Sequence, residues 1–135
     1  MTIETDLIAK IVGTANVSAL ISSRLYSQLA PQDATLPFLT YEISNTSQQV
    51  TLSGATNYYQ STLQIENYAS SKAGVIDLTD KVAAVLHGFS GTLSTTTVTF
   101  AKVDSLGDEE EQEYQGQSQP KVWHRTIIFV IYWRI

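Results

Sequence analysis

The sequence predicts an α+β fold, a two-layer sandwich in which a mainly antiparallel sheet of four to five strands carries two helices on one face. Three observations lead there. Apolar residues recur at helical spacing near the N-terminus and again past the middle of the chain. Segments rich in β-branched and aromatic residues alternate between polar and apolar positions. The resulting order, α-(α)-β-β-α-β-β, separates two strand pairs by a single helix, which favours antiparallel pairing with the helices on one side. A chain of 135 residues fits one domain, spanning 1–135.

The first helix rests on Ile3, Leu7, Ile8, Ile11 and Val12, which fall on one face of a 3.6-residue period. Thr2 suits its N-cap, Glu4 and Asp6 suit the positive end of its dipole, and Gly13 suits its stop. A short helical turn follows at Val17–Ser22, with Leu20 and Ile21 inward. Pro31 and Pro37 then mark an extended connector, since neither can continue a helix. Phe38–Ser44 alternates as a strand, and Asn57–Tyr68 as a second. Asn45–Thr56 between them is polar and reads as the long, protruding tip of a hairpin.

Ser70 or Ser71 caps the next helix, Val75, Ile76, Thr79, Val82 and Leu86 form its buried stripe, and Gly88 ends it. Thr92–Val103 is a strand with Val98 and Phe100 alternating against Thr97 and Thr99. Asp108–Pro120 is a polar loop with an acidic cluster. Val122–Ile135 has the highest β-branched and aromatic density in the chain, the pattern of a central strand with both faces at least partly covered.

Composition narrows the function. Thirteen acids stand against eight scattered bases, for a net charge of −5, so there is no basic footprint for gripping phosphates. With no cysteine there is neither a disulfide frame nor a thiolate site. His87 and His124 are the only histidines and lack metal-ligand spacing, and no GxSxG, GxGxxG or Walker pattern occurs. No catalytic, metal-binding or cofactor site is therefore expected. No signal peptide or membrane-length apolar run is present, so the expected location is the cytoplasm of the producing cell. Only 16% of residues are charged, which lets neutral polar surface pack on partners at low desolvation cost.

The ordered series Arg24-Leu25-Tyr26, Ala30-Pro31-Gln32, Leu36-Pro37-Phe38-Leu39-Thr40-Tyr41, Leu63-Gln64-Ile65-Glu66, Tyr68-Ala69-Ser70, Leu86-His87-Gly88-Phe89-Ser90-Gly91 and Tyr132-Trp133-Arg134 resembles the tail-completion proteins of long-tailed bacteriophages, also called tail terminators or head–tail joining proteins. The resemblance spans nearly the whole chain. It implies a small mixed sheet backed by helices, and a six-fold ring of identical subunits capping the head-proximal end of a finished tail tube. It implies three protein partners: further copies of the chain, the tail tube protein and the head-completion (stopper) protein. DNA would pass through the bore without specific binding, and the assembled location would be the virion. Another phage assembly part, such as a head-closure or tail-tube subunit, is the alternative, with a small enzyme or ligand-binding domain behind it.

If surfaces carry the function, three are worth locating. Val50, Leu52 and Tyr58 are apolar residues on or beside the hairpin tip. Asp108, Glu109, Glu110, Glu111 and Glu113 form the acidic cluster, either a solvated loop, a bore lining that repels phosphates, or a patch for a basic partner. Tyr132 and Trp133 are neighbours on the last strand and must face opposite ways, so one is core and the other a candidate contact anchor.

Overall fold

The computed structural model describes residues 2–28, 35–94, 96–108, 110–112 and 122–134, with backbone alone at 2, 49, 51, 55–57 and 110–112. Among the described residues there are three helices, α1 (Thr2–Gly13), α2 (Ala15–Ile21) and α3 (Lys72–Leu86). The strands are β1 (Leu25–Ser27), β2 (Phe38–Thr51), β3 (Gly54–Ala69), β4 (Gly91–Thr92), β5 (Thr97–Leu106), β6 (Glu110–Gln112) and β7 (Val122–Arg134). Six strands follow one path, β1-β2-β3-β7-β5-β4, and β6 pairs with β7 off that path. All pairings are antiparallel except β1 with β2.

The α+β class is the one expected, but four to five strands is too few, and the element order is not the expected α-(α)-β-β-α-β-β. The additions, β1, β4 and β6, are two or three residues long. Segments that short exist because a longer neighbour offers free backbone groups, and they carry no alternation of their own to read.

The main core lies between the helices and one sheet face. Ile3, Leu7 and Ile11 of α1, Val17 and Ile21 of α2, and Val75, Leu78, Val82 and Leu86 of α3 are all buried. All of these except Val75 cluster with Leu39, Leu63, Ile65, Val98, Ala101, Ile127, Phe129, Ile131 and Trp133 of the sheet. Ile8 and Val12, grouped with the first-helix stripe by spacing alone, are only half-buried. Leu78, absent from the expected stripe of α3, is buried, whereas Ile76 is half-buried.

Local chemistry explains the helix ends. Ser71 is the N-cap of α3, its side chain accepting from the Gly74 amide at 3.0 Å. Gly88 follows the helix at φ +77°, a left-handed conformation that costs glycine little. Thr14 separates α1 from α2, and its hydroxyl donates to the Lys10 carbonyl at 2.8 Å.

β7 is central, as its composition predicts, with β3 on one side and β5 on the other. One face assignment in β5 is overturned. A bulge between Val98 and Phe100 sets two steps of β5 against one of β7, pairing Val98 with Trp133 and Phe100 with Tyr132. Val98 therefore enters the core while Phe100, expected on the same face, is exposed.

Candidate interaction surfaces

The first surface is the β2–β3 arm. Asn45–Thr56, expected as the long, polar tip of a hairpin between strands ending at Ser44 and starting at Asn57, is itself strand almost throughout, with pairing up to Thr51↔Gly54 and a two-residue turn at Leu52 and Ser53. Ser, Thr and Gln in alternation sustain a ribbon wet on both faces, which is why composition alone suggested a loop. β7 accompanies β3 only as far as Tyr58↔Arg134, and β1 accompanies β2 only over Leu39–Tyr41. Beyond those points the described ribbon stands on its own pairing. Its apolar residues face water: Leu52 is fully exposed, Val50 is 72% exposed and Tyr58 47%.

A polar node fixes the arm's base. Buried Ser61 shares a 2.9 Å hydrogen bond with the Thr46 hydroxyl and accepts from Trp133 Nε1 at 2.9 Å. Trp133 also stacks on Tyr59, with ring centroids 4.5 Å apart. Of the neighbouring pair on the last strand, Trp133 is thus the core member and does not serve as a surface anchor. Tyr132 lies on the opposite face, half-buried, beside exposed Phe100.

The acidic segment is partly ordered. Asp108 is exposed, and the backbone of Glu110, Glu111 and Gln112 forms β6 against His124, Trp123 and Val122. That corrects the reading of Asp108–Pro120 as loop throughout. Glu109 and Glu113 lie outside the described residues, as does the Leu29–Gln32 part of the connector. Gly107 leads into the segment, its amide donating to the Thr126 carbonyl and its own carbonyl accepting from Arg125 Nε at 2.7 Å.

A fourth feature escaped sequence reading. On the sheet face away from the helices, Tyr26, Phe38, Tyr68 and His124 form a ladder of rings across four strands. Phe38 and Tyr68 stack at 4.7 Å, Tyr68 and His124 at 5.4 Å, and Tyr26 meets Phe38 edge-on at 6.0 Å. Glu66 joins the ladder. Its Oε1 is 3.7 Å from His124 Nε2, and its Oε2 accepts from Tyr68 at 3.1 Å and from Thr40 at 3.4 Å. Residues from four separate strands meet here, so no local spacing encodes the cluster. The adjoining cleft, lined by Gln28, Thr40, Tyr41, Glu42, Gln64 and Glu66, encloses about 20 Å³, room for a water molecule.

His124 is the largest influence holding the Glu66 carboxyl below its usual value, the Tyr68 and Thr40 hydroxyls add to it, and partial burial opposes them. Because the folded-state value is depressed, this contribution to stability is complete above the unfolded value of about 4.3 and is lost as pH falls through the folded one. Glu66→Gln should therefore flatten the acid limb of a stability-against-pH curve below about pH 4.3. Urea midpoints measured across that range check it, and an unchanged acid limb would refute the linkage.

His87 sits at the C-terminal end of α3, as expected, but its ring has a specific task. Nδ1 accepts from the Val103 amide at 3.1 Å, satisfying one backbone donor on the outer edge of β5. Among the described residues, no group of three or more His, Asp or Glu side chains is arranged to hold a metal ion.

Comparison with known proteins adds the following. A family model described as "Tail completion protein gp17" matches residues 5–125. Among solved structures, a chain of the virion of a native gene transfer agent particle superposes with a TM-score of 0.70 at 12% identity, covering 98% of this chain and 94% of that one. At that identity the likeness speaks for the fold. A search of curated protein sequences found no match.

Proposed function

We propose, since the chain belongs to the tail completion protein gp17 family and is thus a structural protein of phage tails, that it forms a ring capping the head-proximal end of the tail tube. The ring, a hexamer in this reading, ends tube growth and presents a face to the head-completion protein. DNA crosses its bore without being bound by sequence, and the protein's working location is the head–tail junction of the virion. Its role is structural and not enzymatic.

The family match over residues 5–125 is the observation that carries this reading. The surfaces are compatible with it. The arm offers a projecting apolar tip, and the acidic segment beside the start of β7 offers negative charge to a bore or to a basic partner. Tyr132 and Phe100 supply a semi-apolar patch on the uncovered sheet face.

The test is to add purified protein to isolated tail tubes and image them by electron microscopy. We expect closed caps at one end, and tails of uncontrolled length when the protein is missing from the infection. Normal tails with unjoined heads would reduce the role to joining alone. Self-assembly of the purified chain into long cylinders would point to a tube subunit instead.

A further inference from the structure

We propose that the arm tip of one copy seats in a groove beside α1 on the next copy, so that a single head-to-tail contact propagates around the ring. The inference rests on the ring reading above and adds the two surfaces that would meet. The groove follows from the way α1 packs. With Ile3, Leu7 and Ile11 turned into the core, the adjacent rows of the helix remain at the surface beside β2. Ile8, Ala9 and Val12 form its apolar floor with the ring of Tyr41, and Glu4 and Thr5 stand at its rim. It encloses about 430 Å³ and opens to solvent.

The same chain carries an element of matching chemistry. Leu52 and Val50 project from the arm, fully exposed and 72% exposed. They cannot reach the groove of their own copy. Tyr41 lines that groove, and Leu52, in the turn after β2, lies eleven positions further on, or about 35 Å along an extended chain. An apolar tip and a groove held that far apart on one subunit can meet only between subunits. The contact is then heterologous, the kind that closes into a ring when the rotation permits.

Charge favours a second copy as the occupant. Among the described residues lining the groove, Glu4 is the one that is charged, and the chain as a whole carries −5. Two copies therefore repel over much of their surface. From Ile43 to Ile65, however, no residue is charged, so the arm can approach the Glu4 rim without like-charge cost.

The absence of native cysteine makes the test clean. Leu52→Cys and Ala9→Cys variants, both at exposed positions, are mixed under mild oxidation, with Leu52→Cys plus Ser90→Cys as the control pair. We expect disulfide-linked dimers from the first mixture and not from the control. A chain bearing both Leu52→Cys and Ala9→Cys should close into a covalent ring whose mass gives the copy number. Leu52→Glu should weaken assembly at least about tenfold while leaving thermal unfolding unchanged, and Leu52→Met should retain assembly.

Failure of Leu52→Cys and Ala9→Cys to crosslink in samples that still cap tails would overturn the arm–groove contact and leave the ring reading standing. Crosslinking of the arm to the tube protein in such samples would do the same and identify the arm's true site. Specific crosslinking in a protein that never caps tails would keep the contact and remove the tail-capping role. No crosslink and no assembly would remove the contact as well.

Discussion

Trp133→Ala should lower the unfolding free energy by about 3–5 kcal/mol, the usual cost of emptying a large aromatic site in a core. Trp133 is 3% exposed although it stands one residue from the described end of β7, and its neighbours account for that. Tyr59 pairs with it from β3 and stacks on it at 4.5 Å and 17°, and Val98 pairs with it from β5. Its indole nitrogen donates to Ser61, which also shares a hydrogen bond with Thr46. Truncation therefore empties the volume beneath the arm's base and strips one partner from a buried hydroxyl. Against a typical total of about 5–15 kcal/mol, that loss places the variant near its unfolding threshold. Trp133→Phe keeps the stack and removes the donor, so it should cost about 1 kcal/mol more than its small volume change accounts for. Urea denaturation of the two variants separates packing from hydrogen bonding. A Trp133→Phe loss no larger than its volume change accounts for would show that the Ser61 bond matters little.

The second large effect is expected at Asp6, where alanine should cost about 3 kcal/mol. Asp6 is buried, and its Oδ2 accepts from both the Thr96 amide at 3.0 Å and the Thr96 hydroxyl at 2.8 Å. Hydrogen bonds to an ionised acceptor are stronger than neutral ones, and both donors belong to a buried residue. Without the carboxylate, the Thr96 donors lose that acceptor and α1 loses its tie to the start of β5, ninety residues away. Asp6→Asn keeps an acceptor without its charge and should lose about 1 kcal/mol. Thermal unfolding measures the sum, and amide exchange at Thr96 reports the local effect. Full protection of that amide in the alanine variant would contradict the assignment.

Asp6 also shows where sequence reading stops. Its place in the first turn of α1 made it an ordinary acid at the positive end of a dipole, which is all that local spacing can reveal. Its partner lies ninety residues on, and nothing in the periodicity of either segment connects them. Glu66 and His124 are hidden for the same reason. What periodicity does report came through. The core rows of α1 and α3, the Ser71 cap, the Gly88 stop and the central place of β7 all depend on residues within a few positions of each other.

Errors in face and extent arose where the period slips. The β5 bulge turned Phe100 outward. The strength of the β2–β3 ladder converted a Ser/Thr/Gln stretch from loop to strand, because backbone pairing does not require apolar side chains. Choosing between Tyr132 and Trp133 needed the register against Tyr59 and Val98, since alternation says only that the two differ. Of the candidate surfaces, the arm residues were legible as apolar islands in a polar stretch. The groove that could receive them was not, because Ile8 and Val12 look like core from spacing alone.

The slip at Asn45 has a consequence for how such arms diversify. Between Ser44 and Ser47 the β2 side takes one more step than the β3 side, and Asn45 makes the step at φ 54°, a conformation asparagine tolerates. Upstream, odd-numbered residues such as Tyr41 and Ile43 face the helices; downstream, even-numbered Thr46 meets Ser61 on that same side, and Val50 shares its parity. A one-codon deletion at Asn45 would leave the arm's net charge untouched while rotating its outer half by one pleat. Lineages could thus re-aim the arm at a new neighbour in a single genetic event, without first inventing a new apolar tip.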